Sequence, residues 1–354
     1  MADKSKIEWT EATWNPITGC RVVSRGCRNC YAMKLAGGRL RHHPSRAGLT
    51  DDSKAGPVWN GEVRFYSPWL DQPLRWKRPR HIFVCAHGDL FYEGVPDDWI
   101  DRVFAIMGAA EQHTFQVLTK RPERMRDYMR KRGHAAWNSG RMGPDKWPAE
   151  NIFLGVSVED QTCANERIPA LLDTPAAVRF LSCEPLLGPL DLSEISVGDG
   201  VMQPLETRRW SEEIAQWRDT SDEWEAEFLD WFGLSKMPAP DDLMWRPLDW
   251  VIAGGESGPK ARPSHPDWFR GLRNQCQAAG VPFFFKQWGE YGPAPEGATH
   301  PLECHPVPGS KGLIRTRRLK DGQFMQRVGK KAAGRLLDGR EHNDMPSLAT
   351  EARP

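Results

Sequence analysis

From residue 81 to residue 288 the chain is a train of short apolar runs, each closed by polar residues and followed by a segment with helical spacing. HIFVCAHGDLF has a buried-strand pattern over Ile82 to Ala86, then His87, Gly88 and Asp89, and DDWIDRVFAIMGAAE follows with apolar residues at helical intervals. TFQVLTKRP gives a strand over Phe115 to Leu118 that ends at Thr119, Lys120 and Arg121, with a basic helix over Arg121 to Arg132. NIFLGVSVED gives Ile152 to Val156, ending at Ser157, Glu159 and Asp160, before the helical CANERIPALLDT. VRFLSCEP gives Val178 to Leu181, ending at Ser182, Cys183 and Glu184. DWVIAGGES gives Trp250 to Ala253, ending at Gly254, Gly255, Glu256 and Ser257, and DWFRGLRNQCQAAG is a helix stopped by Gly280. PFFFKQWGE is the last strand, ending at Lys286, Gln287 and Trp288.

Strands alternating with helices imply a parallel sheet with right-handed crossovers. With an early strand near Ile17 and another over Val63 to Tyr66, the count reaches about seven or eight, which suits an α/β fold of the (β/α) TIM-barrel type, full or partial. An open doubly wound sheet is the alternative. Both bind ligands at the carboxyl ends of the strands, where the polar residues just named fall.

Three stretches depart from this rhythm. Residues 35 to 59 carry charges, glycines and the His42–His43 pair, and read as a helical or irregular excursion. Within residues 191 to 247, Trp210, Trp217, Trp224 and Trp231 recur every seven residues in an acidic segment, one helical face repeating. This reads as a helical insertion, packed on the body or on a protein partner. Residues 291 to 354 are first Pro/Gly-rich and then basic, a C-terminal extension on a barrel-like body of residues 1 to 290; within it VGKKAAGRLLDG reads as a helix ended by glycine.

The densest chemistry lies in TGCRVVSRGCRNCYA, where Cys20, Cys27 and Cys30 are spaced C-x6-C-x2-C. Gly19 and Gly26 each precede a cysteine, as a backbone bending close to a bulky group requires. Three thiolates hold three corners of a [4Fe–4S] cluster and leave one iron open. A structural zinc site would add His42 or His43 as a fourth ligand. Three unligated thiols in such proximity would be an oxidation hazard. The other five cysteines, Cys85, Cys163, Cys183, Cys276 and Cys304, are scattered, as buried free thiols of a reducing compartment are.

Composition adds limits. The 48 basic and 47 acidic side chains leave a net charge of +1, so no global field draws the chain to nucleic acid or membrane. Local basic runs at residues 75 to 80, 120 to 132 and 315 to 320 would track a phosphate backbone if they shared one face, and otherwise are helix faces balanced by acids. The 16 tryptophans serve core packing or stack on bases. No apolar run approaches the roughly 20 residues of a membrane helix, and the polar N-terminus lacks a signal-peptide core, so a cytoplasmic location is expected.

The stretches WNPITGCRVVSRGCRNCYA, VLTKRPERM, LGVSVEDQ, FLSCEPLLGPLDL, WVIAGGESGPKARP, FFFKQWGE and VGKKAAGRLLDGRE together resemble a phage and prophage family of largely uncharacterised proteins. That family is distantly similar to radical S-adenosylmethionine (SAM) enzymes of the spore photoproduct lyase type. The resemblance implies that Cys20, Cys27 and Cys30 ligate a [4Fe–4S] cluster whose open iron chelates SAM. One-electron reduction, from an electron donor, then yields a 5′-deoxyadenosyl radical that abstracts hydrogen from substrate. The first gap is six residues where radical SAM enzymes usually have three, and Asn29 stands where they carry an aromatic, with Tyr31 following.

On the same resemblance, Gly254, Gly255 and Glu256 match the element that holds the SAM amino group, though here late in the chain. Ser157 and Glu159 suit the SAM ribose or carboxylate, and Lys120, Arg121 and Lys286 suit a carboxylate or phosphate. Glu184, Asp89, His87 and Lys286 are candidates for acid/base or substrate contacts. The implied activity is modification or repair of a base or nucleotide in DNA or RNA. The alternatives are a zinc-stabilised binding protein without catalysis and an iron–sulfur protein that does not use SAM.

Overall fold

The computed structural model describes residues 5–141, 147–198, 200–205, 248–294 and 315–346. Seven parallel strands form the main sheet: β1 (Ala12–Trp14), β2 (His81–Val84), β3 (Thr114–Thr119), β4 (Ile152–Ser157), β5 (Val178–Cys183), β6 (Trp250–Gly254) and β7 (Phe283–Gln287). Their spatial order is their sequence order. A doubly wound sheet reverses direction at a switch point; this one does not, and it curls into a half-barrel flanked by helices.

The two faces of the sheet have different partners. Ile152, Leu154, Leu181, Val251, Phe283 and Phe285 belong to the large core that the helices cover. These include α2 (Asp97–Ala109), α4 (Gln161–Leu172) and α5 (Pro266–Ala278). The alternate residues Phe153, Phe180, Ile252 and Phe284 form a second core around Trp9 and Trp250, on the opposite side. Trp9 packs 4.8 Å from the Phe83 ring and 6.3 Å from that of Trp250, so the N-terminal segment fills the concave face. Gly155 on β4 admits no side chain, since a Cβ there would lie 2.6 Å from the Phe180 ring.

Several sequence expectations need correction. The strand near Ile17 is not in the main sheet; Ile17–Thr18 pairs antiparallel with Arg64–Phe65 outside it, and β1 is the run just before. Residues 35 to 59, expected to be helical or irregular, contain a β-hairpin of Thr50–Ser53 with Gly56–Trp59. The basic helix after β3 divides. It runs as α3 (Pro122–Tyr128), passes through a π turn over Met129–Gly133, and resumes over His134–Asn138. VGKKAAGRLLDG forms helix only over Lys330–Ala333, because Gly334 adopts a φ of +72° that ends it. Ahead of it, Tyr291–Pro293, Phe324–Arg327 and Arg315–Arg318 build a small antiparallel sheet.

Tryptophans 9, 14, 59, 76, 137, 250 and 288 are buried, so packing accounts for them. The heptad tryptophans at 210, 217, 224 and 231, the protein-partner surface expected on them, and Cys304 lie outside the described residues. No helix among the described residues is long and apolar enough to cross a membrane.

Candidate functional site

The carboxyl ends of the seven strands open on one mouth. The cysteine segment reaches it from β1: Gly19, at φ +96° with the Glu62 backbone carbonyl oxygen 2.2 Å from where a Cβ would stand, turns the chain into Cys20. A 3₁₀ turn over Arg25–Asn29 carries Cys27, and Cys30 leads into helix α1 (Tyr31–Gly37).

Two ion-pair networks fix the floor beneath this segment. In the first, Asp89, after β2, accepts from the Thr119 hydroxyl at 2.7 Å, the Lys120 backbone N–H at 3.1 Å and Arg121 Nη1 at 2.9 Å. Arg121 Nη1 lies 3.5 Å from Cys20 Sγ, and its Nη2 donates to the Arg21 carbonyl at 2.9 Å. In the second, Glu159, after β4 and fully buried, accepts from Lys120 Nζ at 2.8 Å, Arg167 Nη1 at 2.9 Å and the Ser24 hydroxyl at 2.9 Å. Gly26 lies so close that a Cβ there would stand 2.2 Å from Glu159 Oε1. Glycine before Cys27 is thus explained by a carboxylate from β4, a contact that sequence alone does not announce.

The thiols share this environment. Burial pushes Cys20 up to about 12, Asp89 adds to the rise, and Arg121 opposes it. Burial also raises Cys30, against which Lys120 acts. Cys20 is coupled electrostatically to Cys30, and Cys30 to Cys27. Among the described residues, no three His, Cys, Asp or Glu side chains stand gathered as a metal-binding group. Neither histidine proposed for zinc belongs to such a group. His43 Nδ1 is 2.7 Å from the Ser45 hydroxyl and its ring stacks on Trp69, while His42 lines a separate cleft of about 230 Å³ with Arg41 and Asp52.

The remaining candidates divide by what they touch. Glu184 and Lys286, from the ends of β5 and β7, pair at 3.1 Å. Glu184 Oε1 is buried without a hydrogen-bond partner and lies against Gly254, where a Cβ would come within 2.4 Å of it. Gly255 packs on the Trp288 carbonyl, 1.9 Å from where its Cβ would be. Both glycines therefore have packing reasons. Glu256 takes Arg262 at both oxygens, 2.7 Å to Oε1 and 2.9 Å to Oε2. Burial raises its carboxyl, but those bonds outweigh it and leave the group below its ordinary value. Ser157 is buried and its carbonyl accepts from Arg167 at 2.7 Å.

Four residues of the mouth were not picked out as site residues from sequence: Ser24, Arg46, Arg167 and Tyr31. Only Tyr31, adjacent to Cys30, carried a local signal. It is 49% exposed, donates its hydroxyl to the Ala86 carbonyl at 2.7 Å, and meets His87 edge to face. The basic run over residues 120 to 132 is largely neutralised, and in the run over 75 to 80 Arg75 is ion-paired. Arg124 pairs with Asp97, Arg126 and Arg130 with Asp173, Arg132 with Asp101, and Arg75 with Asp71.

The Glu159 network has a definite pH signature. Burial alone would raise its carboxyl, but Lys120 and Arg167 outweigh that and hold it at about 2, below the ordinary 4.5. The stabilisation is complete above pH 4.5 and is lost as pH falls toward 2. Glu159→Gln should cost about 3–5 kcal/mol at neutral pH by leaving the buried Arg167 and the partly buried Lys120 without their counterion. Urea unfolding at a series of pH values should show the gap from the unsubstituted protein narrowing below pH 4.5; a gap that stays constant would contradict this origin.

Comparison with known proteins places this geometry in a family. No curated protein matches the chain. Among solved structures, a spore photoproduct lyase complexed with dinucleoside spore photoproduct aligns with a TM-score of 0.36 and 10% identity, over 94% of this chain and 72% of that one. At that distance the likeness carries no weight for mechanism. A family model described as "Protein of unknown function (DUF5131)" matches residues 4–346, and the chain belongs to that family.

Proposed function

We propose that the protein is an iron–sulfur enzyme of the radical SAM type, with Cys20, Cys27 and Cys30 as the three ligands of a [4Fe–4S] cluster. The observation that carries this reading is the union of three soft thiols with the carboxyl-end mouth of a sequentially wound parallel half-barrel. The donor chemistry suits the group: three soft thiols on one short segment, with Arg121 Nη1 3.5 Å from Cys20 Sγ; burial raises Cys20 and Cys30, so these two would lose their protons on ligation and not before it. A bound cluster with an open iron supplies one-electron reduction of SAM.

The chain's own residues then have separable tasks. Asp89 holds Arg121 against Cys20, and Glu159 holds Lys120 and the Ser24 turn beneath Cys27. Ser157, Gly254, Gly255 and Glu256 line the strand ends on which SAM would rest. For Glu256 to accept the SAM ammonium, its Oε1, which takes only Arg262 Nη2 from that arginine, is the oxygen with acceptor capacity to spare. Glu184, with one buried oxygen unmatched and Lys286 on the other, is the acid/base or donor-accepting group toward substrate.

The substrate class proposed is a nucleic-acid base or nucleotide. Its support is the half-exposed Tyr31 ring beside Cys30, which offers a face on which a base stacks. Calorimetry of Tyr31→Ala with single-stranded oligonucleotides and free nucleotides should show affinity reduced about tenfold or more. Equal affinity, or no binding by the unsubstituted protein at low salt, removes the nucleic-acid assignment.

Metal analysis tests the cluster itself. Protein purified without oxygen should be brown and contain about four irons with matching sulfide. Cys27→Ala should lose that content while keeping the far-UV spectrum of the fold. A colourless protein holding one zinc would overturn the proposal.

A further inference from the structure

Arg46 is 2% exposed, and among the described residues no carboxylate lies within ion-pair reach of it. Its guanidinium spends its donors on the Ser45 hydroxyl and carbonyl and, through Nη2, on His87 Nδ1 at 2.5 Å; Nε is buried with no partner. The Trp69 ring face lies 5.3 Å from its Cζ, and the Cys85 thiol and the Tyr31 phenol also act on it electrostatically, but none of these is a carboxylate. Burial accordingly lowers Arg46 to about 10, an unusual value for a guanidinium, which ordinarily gains a carboxylate when buried.

His87 follows β2 and opens onto the mouth. Its backbone N–H donates to Asn15 Oδ1 at 2.8 Å, and its carbonyl accepts from Gly19. Arg46 has no acceptor, so the bond at Nδ1 makes that nitrogen the acceptor and leaves the proton on Nε2. Among the described residues nothing accepts from Nε2. Burial and then the Arg46 charge depress His87 to about 4, consistent with a neutral ring.

We infer that Arg46 and His87 form a receptor for an anionic oxygen at the mouth, in which the buried Arg46 charge fixes and polarises His87 so that Nε2–H donates to a carboxylate or phosphate of the ligand. A fixed positive charge with no internal counterion is matched only when such an anion arrives. Arg46 is a positioning residue and His87 the contact. The inference does not require the cluster.

The test uses full-length protein labelled with ¹⁵N-histidine, with the His87 signals assigned by their loss in His87→Gln. Long-range ¹H–¹⁵N spectra should show a neutral His87 ring with its proton on Nε2. Titration with inorganic phosphate and, separately, with acetate should shift Nε2–H saturably; tighter phosphate binding assigns a phosphoryl source, tighter acetate binding a carboxylate. Arg46→Met should weaken the preferred anion about tenfold or more, the loss of a charge-assisted interaction, and Arg46→Lys should recover part of it. His87→Leu should lose binding to a similar degree, whereas His87→Gln, which keeps a donor, retains most of it, so the inference stands on either position if one variant fails to fold. A proton on Nδ1, no saturable shift with either anion, or unchanged affinity in folded Arg46→Met and His87→Leu overturns it.

Discussion

The mouth of this half-barrel rests on one buried carboxylate. Glu159 joins the end of β4 to Lys120 after β3, to Arg167 on α4 and to Ser24 in the cysteine turn, and it fills the space that Gly26 leaves. A fully buried carboxylate is costly to desolvate and persists because its oxygens are met by cations and a hydroxyl. Through it the thiol segment, whose Cys20 and Cys30 also pack on the small apolar cluster of Ala32, Met33, Ala36, Leu49 and Trp59, is tied to the sheet.

The rest of the mouth repeats this logic with different degrees of completion. Asp89 is saturated by Thr119, Lys120 and Arg121, and Glu256 is held at both oxygens by Arg262. These groups orient others. Glu184 and Arg46 are incomplete: one lacks a donor at a buried oxygen, the other lacks an anion. Saturated pairs build scaffolds, and unsaturated buried groups mark where a ligand's polar atoms belong. The proposals of a substrate-facing Glu184 and an anion-receiving Arg46–His87 pair both rest on that contrast.

The parallel strands from β2 to β7 were legible because each is a continuous apolar run ended by polar residues, which is how a strand buried on both faces reads. β1 was not, since three residues, Ala12–Trp14, are too few to show a pattern, and Ile17 drew the assignment to its neighbour. The helix expected after Gly329 failed because Gly334 interrupts it after four residues. Strand-end residues such as Asp89, Glu159 and Glu184 could be named from position, but whether each is saturated depends on partners far off in sequence. Arg167 and Arg262 are near Glu159 and Glu256 in sequence, yet nothing in their spacing distinguishes these pairs from surface ones. Arg46, in the polar run HHPSRAG, reads as a surface arginine; only the fold shows it buried.

The central claim is that the three cysteines hold a cluster with an iron open to SAM. Electron paramagnetic resonance of anaerobic, dithionite-reduced protein, recorded with and without SAM, tests this most directly. The account predicts a [4Fe–4S]⁺ signal whose shape changes when SAM is added and which is missing from Cys27→Ala. A signal indifferent to SAM would contradict the open-iron assignment, and the lack of any cluster signal from freshly reduced protein would contradict the cluster itself.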